Sequence, residues 1–183
     1  RMLLSLIYQG LFAVSNKFEA VPILCEKFRV SSDYKIYTFY IADATFSDGT
    51  PVTVQDVSAS FDAAMDSKYY GNRFYQVIKT AINEDNSITF YLRTPMEDFP
   101  KLLAFPILKA SELEAEHPLG TGPYIFESNL AGAQLRRNGA WWCSSPDLVI
   151  TADIITLVAA ESPTHIRDEF EFADVGIVCA DAC

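Results

Sequence analysis

The sequence has little of what catalytic and metal sites require. Its 183 residues include two histidines and four cysteines, and no cysteine spacing matches a zinc or redox motif. The chain also lacks the Gly-x-Ser-x-Gly elbow of hydrolases and the Gly-x-x-x-x-Gly-Lys loop of nucleotide-binding proteins. The Gly120-x-Gly122 pattern is not a dinucleotide motif, because Pro123 follows it and a strand is expected next. We therefore expect no catalytic residue, no metal and no cofactor.

Positive charge is also scarce. There are 14 lysines and arginines against 24 acidic residues, which gives a formal net charge of −10 and a pI of about 4.6. Such a surface repels phosphate backbones and anionic headgroups, so nucleic acid and membrane surfaces are poor partners. Hydrophobic residues make up 50% of the chain, which indicates a folded protein with a core.

Long hydrophobic runs are missing as well. The longest, residues 148–160, is short for a membrane span and carries Asp153, so it predicts a buried strand. Residues 1–8 are too short for a signal peptide and lack a small-residue cleavage site after them. Two alternatives stay open on this basis: a cytosolic protein, or an export signal that lies outside this sequence.

Hydrophobic periodicity predicts a mixture of helices and strands. Helices are expected over residues 2–11, from Thr53 onward, from Asp98 to about 104, and over 162–170. Strands are expected over residues 35–41, 77–82, 87–92, 124–127, 134–137, 149–157 and 173–179. The last helix lies between two strands, which suggests a parallel layer that is only partly present. The expected class is α/β with α+β character, a mixed sheet with antiparallel hairpins and flanking helices.

The helix after Thr53 has the clearest start signal. Thr53 and Asp56 resemble a capping box, in which each side chain satisfies a backbone amide at the helix start. Apolar residues then recur at helical spacing and form the predicted buried face: Val54, Val57, Phe61 and Met65. Just before this helix, Gly49 lies in a tight turn, where glycine is free to take a positive φ.

Two pairs of adjacent aromatic residues follow predicted elements. Tyr69 and Tyr70 come after the capped helix, and Trp141 and Trp142 come after a strand. Neighbouring aromatics in loops either fill a small core or contact a ligand. Tyr and Trp suit the second role because they join a flat apolar face to one polar group. The residues alone leave both interpretations open.

Short motifs follow one another in a specific order along nearly the whole chain. They are LIYQGL at 6–11, VPILCE at 21–26, FSDGTPVT at 46–53, ITFYL at 88–92, PLGTGPY at 118–124 and RN with WW at 137–142. This order resembles that of the family 5 extracellular solute-binding proteins, which include oligopeptide-, dipeptide- and nickel-binding receptors of ABC importers. Two places depart from the family pattern: Gly139-Ala140 within the last block, and residues 171–174, which lack the usual glycine.

The resemblance implies a type II periplasmic-binding-protein-like fold of which this chain holds lobe one only. Residues 1–115 would be the extra subdomain of that lobe, and 116–183 part of its core α/β subdomain, with the second lobe absent. By position, the ligand contacts would lie at Tyr69, Tyr70, Phe105 and Pro106. The family's turn motif, expected to set the backbone rather than to touch ligand, is formed by Gly120, Thr121 and Gly122.

The function implied is that of the substrate-binding component of an ABC importer, which captures oligopeptides or a similar small solute. Its partners would be the solute and the membrane permease. Its place would be extracellular or periplasmic, with a lipoprotein anchor. The exposed wall of a single lobe would favour self-association. Two alternatives stay open: a ligand sensor of the same fold in a transcriptional regulator, and an enzyme or interaction module with a coincidental resemblance.

Overall fold

Antiparallel strands and helices form the regular structure of the chain. The computed structural model describes residues 2–130, 132–143 and 150–157. The helices are α1 (Met2–Ile7), α2 (Val54–Asp66) and α3 (Phe99–Leu102), with 3₁₀ turns at Gly71–Arg73 and Ala110–Glu112. The strands are β1 (Phe12–Val14), β2 (Ala20–Pro22), β3 (Cys25–Val30), β4 (Ile36–Ile41), β5 (Val77–Asn83), β6 (Ser87–Leu92), β7 (Tyr124–Asn129), β8 (Gly132–Arg137) and β9 (Ile154–Leu157). Within these ranges no helix is long and apolar enough to cross a membrane.

The strands form one hairpin and two sheets, and each of their pairings in the described ranges is antiparallel. β1 pairs with β2, and β3, β4, β6 and β5 form a four-stranded sheet in that order. β7, β8 and β9 form a three-stranded sheet. The expected α/β class, with antiparallel hairpins and flanking helices, is confirmed, and α3 is the short helix predicted after Asp98. The parallel pairing of the expected mixed sheet does not occur within the described ranges. The helix predicted over 162–170 and the strand over 173–179 lie outside the described residues.

The four-stranded sheet gets its core from its two central strands. β4 and β6 carry an apolar side chain inward at every second position, which is the side-chain period of a β-strand. These inward residues are Tyr37, Phe39, Ile41, Ile88, Phe90 and Leu92. α2 covers this face through Phe61, whose ring meets that of Phe90 edge-on at 5.0 Å. The predictions of a strand at β4 and a hairpin at β5–β6 are confirmed.

α2 begins with the predicted capping box. Thr53 Oγ1 accepts a hydrogen bond from the amide of Asp56 at 3.3 Å, and Asp56 Oδ2 accepts one from the amide of Thr53 at 2.9 Å. The predicted buried face is confirmed at Val54, Val57 and Phe61. The prediction for Met65 is wrong, because this side chain is 43% exposed. The 3.6-residue stripe continues instead from Phe61 to Ala64, which is buried.

Two acidic side chains tie the start of α2 to the segment around residue 110. Asp48 forms an ion pair with Lys109 at 2.6 Å. Asp56 Oδ1 accepts a hydrogen bond from the amide of Ala110 at 2.8 Å. Gly49 takes a φ of 81°, as its predicted turn requires. The FSDGTPVT motif is therefore a turn and a helix start, fastened to a distant part of the chain.

The first helix is shorter than its periodicity predicts. The pattern extends to Leu11, but α1 ends at Ile7. The residues beyond it give their backbone groups to other segments. The carbonyl of Gln9 accepts from the amide of Ile107, and the carbonyl of Leu11 accepts from that of Ile23, each at 2.9 Å. Tertiary pairing overrides the helical pattern here, and Leu11 joins the core of the four-stranded sheet.

Edge strands account for the other differences from prediction. β1, β2 and β3 are not predicted, and in β3 only Cys25 is buried, so the strand has no alternation to detect. The strand predicted over 149–157 is wrong in length and burial, since β9 spans Ile154–Leu157 and is half exposed. In the described ranges β9 pairs with β8 alone, and an edge strand needs less apolar surface than a central one.

The apolar residues gather in two clusters. The larger lies between the four-stranded sheet, α2 and the loop that follows α3. The smaller joins Ile7 of α1 to Tyr124 and Leu135 of the three-stranded sheet. The first helix therefore packs with strands from the far end of the described chain. The division into subdomains at residues 1–115 and 116–183 stays a prediction.

Removal of the α2 cap should lower the stability of the fold. Thr53→Ala loses the side-chain acceptor for the Asp56 amide, and we expect the free energy of unfolding to fall by about 1 kcal/mol. Urea denaturation followed by circular dichroism measures this change. Thr94→Ala is the control, because Thr94 lies exposed in a loop, and its effect should stay within about 0.5 kcal/mol. Equal losses in the two variants would contradict a capping role.

The Asp48–Lys109 pair should make stability fall in acid. Partial burial by itself raises the pKa of Asp48, but hydrogen bonds from Lys109 and Thr50 outweigh it and lower the pKa from 3.8 to about 2. Because the folded pKa lies below the unfolded one, the stabilisation is present above about pH 4 and is lost as the pH falls towards about 2.

Melting temperatures measured from pH 6 to pH 2 test this contribution. The difference between the native chain and Asp48→Asn should shrink through the acidic part of that range. Lys109→Gln removes the other partner and should likewise make the melting temperature fall less steeply in the acidic part of that range. If the melting temperatures of both variants fall in acid as steeply as that of the native chain, the ion pair is not the cause of the fall.

Candidate functional site

A cluster of rings with one arginine lies where α2 ends. We call it the aromatic corner; it consists of Tyr69, Tyr70, Arg73, Phe74 and Phe105. The rings of Tyr69 and Tyr70 meet edge-on at 4.7 Å. The guanidinium carbon of Arg73 lies 5.1 Å and 5.2 Å from the centroids of these two rings. Tyr70 reaches Phe105 at 6.3 Å, and Phe105 packs edge-on against Phe74 at 5.6 Å. The corner therefore runs from the surface into the core.

The 3₁₀ turn after Tyr70 fixes the position of this corner. The amide of Arg73 donates to the carbonyl of Tyr70 at 2.8 Å and closes the turn. A Cβ on Gly71 would lie 2.3 Å from the carbonyl oxygen of Met65. Only glycine lets the turn approach the end of α2 so closely. The end of α2 thus decides where the tyrosine and arginine side chains stand.

The four predicted ligand residues fall together here but differ in access. Tyr69 is 49% exposed and Tyr70 is half-buried, so both side chains have surface accessible to solvent. Phe105 is 1% exposed and forms a floor beneath Tyr70. Pro106, the next residue of that loop, is half-buried. The part that these residues take in ligand binding stays a prediction.

A second cluster surrounds the predicted turn motif. We call it the turn cluster; it consists of Gly120, Thr121, Gly122, Trp141 and Trp142. The indole N–H groups of Trp141 and Trp142 both donate to the carbonyl oxygen of Thr121, each at 3.0 Å. Thr121 itself has no exposed surface. The tryptophan pair, whose role is open from the sequence alone, therefore fastens the turn through hydrogen bonds.

The glycines of the turn lie against the backbone of α1. The amide of Gly122 donates to the carbonyl of Ile7 at 2.8 Å. A Cβ on Gly120 would lie 2.1 Å from the Ile7 oxygen, and one on Gly122 would lie 2.3 Å from the Leu6 oxygen. Neither glycine has a positive φ, so close approach and not backbone conformation requires them. This geometry favours a role in setting the backbone turn. That these residues do not touch the ligand stays a prediction.

Gln9 joins the two clusters. Its Oε1 accepts a hydrogen bond from Trp142 Nε1 at 3.1 Å. Its backbone carbonyl accepts from the amide of Ile107, two residues after Phe105. The neighbouring Gly10 lies against the same loop, where a Cβ would come within 2.7 Å of the Phe105 carbonyl oxygen. The aromatic corner and the turn cluster are thus linked through one short stretch of chain.

Reasoning from the sequence misses Arg73 and Gln9 as members of this arrangement. Arg73 follows Tyr70 by three residues, and a cation so near a tyrosine pair is a usable signal for a cation–π contact. Gln9 has no such signal, because its partner Trp142 lies 133 residues away. One sequence holds no information on a contact at that separation.

The chemistry of the clusters suits non-covalent binding. They offer aromatic faces, N–H donors and one guanidinium. Across the part of the chain that the structure describes, no group of three or more His, Cys, Asp or Glu residues could hold a metal ion. Burial raises the pKa of the Cys25 thiol to about 11, so this cysteine is protonated at neutral pH and is a poor nucleophile.

Alanine at Gly120 should destabilise the protein. Because the new Cβ would stand 2.1 Å from the Ile7 oxygen, the backbone must shift, and we expect the free energy of unfolding to fall by about 2 kcal/mol or more. At the matched control Gly139, a Cβ meets nothing within 4 Å, and alanine should change stability by less than about 0.5 kcal/mol. Urea denaturation compares the two, and equal losses would rule out a requirement for close approach.

Known proteins resemble this chain in sequence and in fold. Residues 19–169 match the family described as bacterial extracellular solute-binding proteins, family 5 Middle. The glutathione-binding protein GsiB of Escherichia coli O157:H7 is 31% identical over 135 residues, which cover 66% of this chain and 26% of GsiB. The PBP AgaA of A. tumefaciens R10, solved in complex with agropinic acid, has a TM-score of 0.72 and 25% identity, over 91% of this chain and 36% of its own. NikA from Brucella suis, in complex with Fe(III)-EDTA, has a TM-score of 0.78 and 21% identity, over 93% of this chain and 37% of its own.

These matches cover both clusters but only part of each relative. The chain spans about a quarter of the length of the curated relatives it matches. The family match, over residues 19–169, includes the aromatic corner and the turn cluster. The NikA fold extends over 93% of the chain. The chain therefore belongs to the family 5 bacterial extracellular solute-binding proteins.

Proposed function

We propose that this chain forms part of the substrate-binding component of an ABC importer, which captures an oligopeptide or a similar small solute. The observation that carries the proposal is the family match over residues 19–169. A relative, GsiB, is named for glutathione binding, and glutathione is a tripeptide. A ligand of that size and chemistry supports a short peptide as the solute.

The aromatic corner is the proposed ligand-contacting part. Tyr69 is 49% exposed and Tyr70 is half-buried, and the ring contact between Tyr70 and the buried Phe105 joins the pair to the core. Side chains held on a rigid base lose little conformational entropy when a ligand binds, which leaves more of the contact energy for affinity. Pro106 extends the same loop. The turn cluster holds the backbone, since its Thr121 is fully buried.

In the proposed mechanism this chain supplies one wall of a two-lobed trap. Residues 1–115 and 116–183 would be two subdomains of the first lobe. A solute held by both lobes favours the closed state, because some of its contacts exist only there. Groups that pair with the peptide backbone would accept many side chains. The closed receptor would then deliver the solute to the permease.

The setting of the protein belongs to the same proposal. We place it outside the cytoplasmic membrane or in the periplasm, held by a lipoprotein anchor and without catalytic activity. Its partners would be the solute and the permease subunits. The net charge of −10 opposes binding to nucleic acid. Self-association of the single lobe stays a prediction.

The proposal predicts that the isolated chain binds short peptides only weakly. If closure forms four or five polar contacts worth about 1 kcal/mol each, their loss weakens binding by about three orders of magnitude. Calorimetry with di- to pentapeptides should therefore give no submicromolar Kd for the chain alone. The chain completed by the second lobe of a family member should bind about a thousandfold tighter.

Two results would count against this assignment. A submicromolar Kd for the isolated chain would show that one wall suffices. A completed, cooperatively folded protein that binds no peptide would remove peptides as the solute class. Tyr70→Ala in the completed protein should weaken binding, whereas Tyr75→Ala, a change at an exposed tyrosine outside the corner (69% exposed), should leave it unchanged.

A further inference from the structure

Arg73 is the only charged side chain of the aromatic corner. It is exposed, and its guanidinium carbon stands 5.1 Å and 5.2 Å from the ring centroids of Tyr69 and Tyr70. A guanidinium stays positive at every pH that a protein meets. The corner therefore presents one permanent positive charge beside two tyrosine rings, at the place where ligand contact is proposed.

This arginine differs in its partners from several basic residues of the chain that form ion pairs with carboxylates. These are Lys101 with Asp98, Lys109 with Asp48, Arg136 with Glu127 and Arg137 with Asp153. Among the described residues, no carboxylate lies within ion-pair distance of Arg73. Within that part of the chain Arg73 is exposed and has no carboxylate partner, so its charge is available to an anionic ligand.

The guanidinium carbon of Arg73 lies over both rings. A cation–π contact is made with the face of a ring and takes up no hydrogen-bond acceptor, and an exposed guanidinium has five N–H donors for other partners. The 3₁₀ turn, closed by the Arg73 amide, fixes the start of the side chain. Because Tyr70 packs on the buried Phe105, the platform itself is anchored to the core.

We infer that Arg73 binds a free carboxylate of the solute, so that the aromatic corner selects ligands with an exposed carboxylate over their neutral analogues. The inference rests on the proposed function and names the chemical class that this site would prefer. The planar fork of one guanidinium matches the two oxygens of one carboxylate. A phosphate of higher charge is usually met by several cations, and the corner holds one.

The test uses N-acetyl-trialanine and its C-terminal amide, which differ only in the carboxylate. Each is titrated into the 183-residue chain at millimolar concentration and followed by NMR through the Arg73 Nε–Hε signal and the ring signals of Tyr69 and Tyr70. The carboxylate peptide should bind about three- to tenfold more tightly than the amide. Raising NaCl from 50 to 500 mM should reduce this preference, because salt screens an exposed ion pair.

Three variants separate the role of this arginine from general charge. Arg73→Gln should abolish the preference for the carboxylate, and Arg73→Lys should keep part of it, because the charge remains but the fork is lost. Arg29→Gln is the matched control, since Arg29 also lies over a tyrosine, 5.5 Å from the ring of Tyr40, but outside the corner. It should leave the preference unchanged.

The outcomes distinguish this inference from the function on which it rests. If both peptides shift the tyrosine signals equally and Arg73→Gln has no effect, the carboxylate role is wrong while the corner remains a ligand site. If neither peptide perturbs Tyr69, Tyr70 or Arg73, the corner is not a peptide site, and both the inference and the ligand role proposed for the corner fail. If Arg29→Gln loses the carboxylate preference as fully as Arg73→Gln, the preference comes from the overall charge of the chain, and the inference is overturned.

Discussion

The carboxylate of Asp56 joins two parts of the chain on which the rest of the structure depends. Its Oδ2 accepts hydrogen bonds from the amide and the hydroxyl of Thr53, at 2.9 Å and 2.6 Å, and its Oδ1 accepts one from the amide of Ala110 at 2.8 Å. The residue is 7% exposed, and a buried carboxylate is costly unless its oxygens are satisfied. The start of α2 and the segment that leads to the turn cluster therefore determine each other's position.

Close backbone contacts at two glycines position the aromatic corner and the turn cluster relative to these two segments. At one end of α2, Gly71 lets the 3₁₀ turn close against the carbonyl of Met65, which places the tyrosines and Arg73. Beyond residue 110, Gly120 sits against the carbonyl of Ile7, which places the carbonyl that both tryptophans use. Since neither contact has room for a Cβ, glycine is a steric requirement at both positions. The family motifs thus build a scaffold that positions the exposed rings and the guanidinium, to which we assign the proposed ligand contacts.

Part of the candidate site could be predicted and part could not. Tyr69 and Tyr70 stand out because adjacent aromatic residues in a loop are conspicuous in a sequence. The hydrogen bonds of the tryptophan pair to Thr121 are not visible there, because the two segments lie some twenty residues apart with strands between them. The hydrogen bond between Gln9 and Trp142 is harder still to predict, since a single polar residue near a helix end gives no sign of a partner 133 residues away.

The sequence by itself determined the elements whose signals are local: the capped start of α2, the inward alternation of β4 and β6, and the turn at Gly49. Each follows from the shape and hydrogen bonding of neighbouring residues. Tertiary structure alone decided the end of α1, the exposed edge strands, and the meeting of the aromatic corner with the turn cluster. Backbone groups past Ile7 pair with distant segments, and the energy of those pairings outweighs helix propensity. The position of the Arg73 charge over two rings likewise depends on tertiary contacts, which fix the turn that carries this arginine.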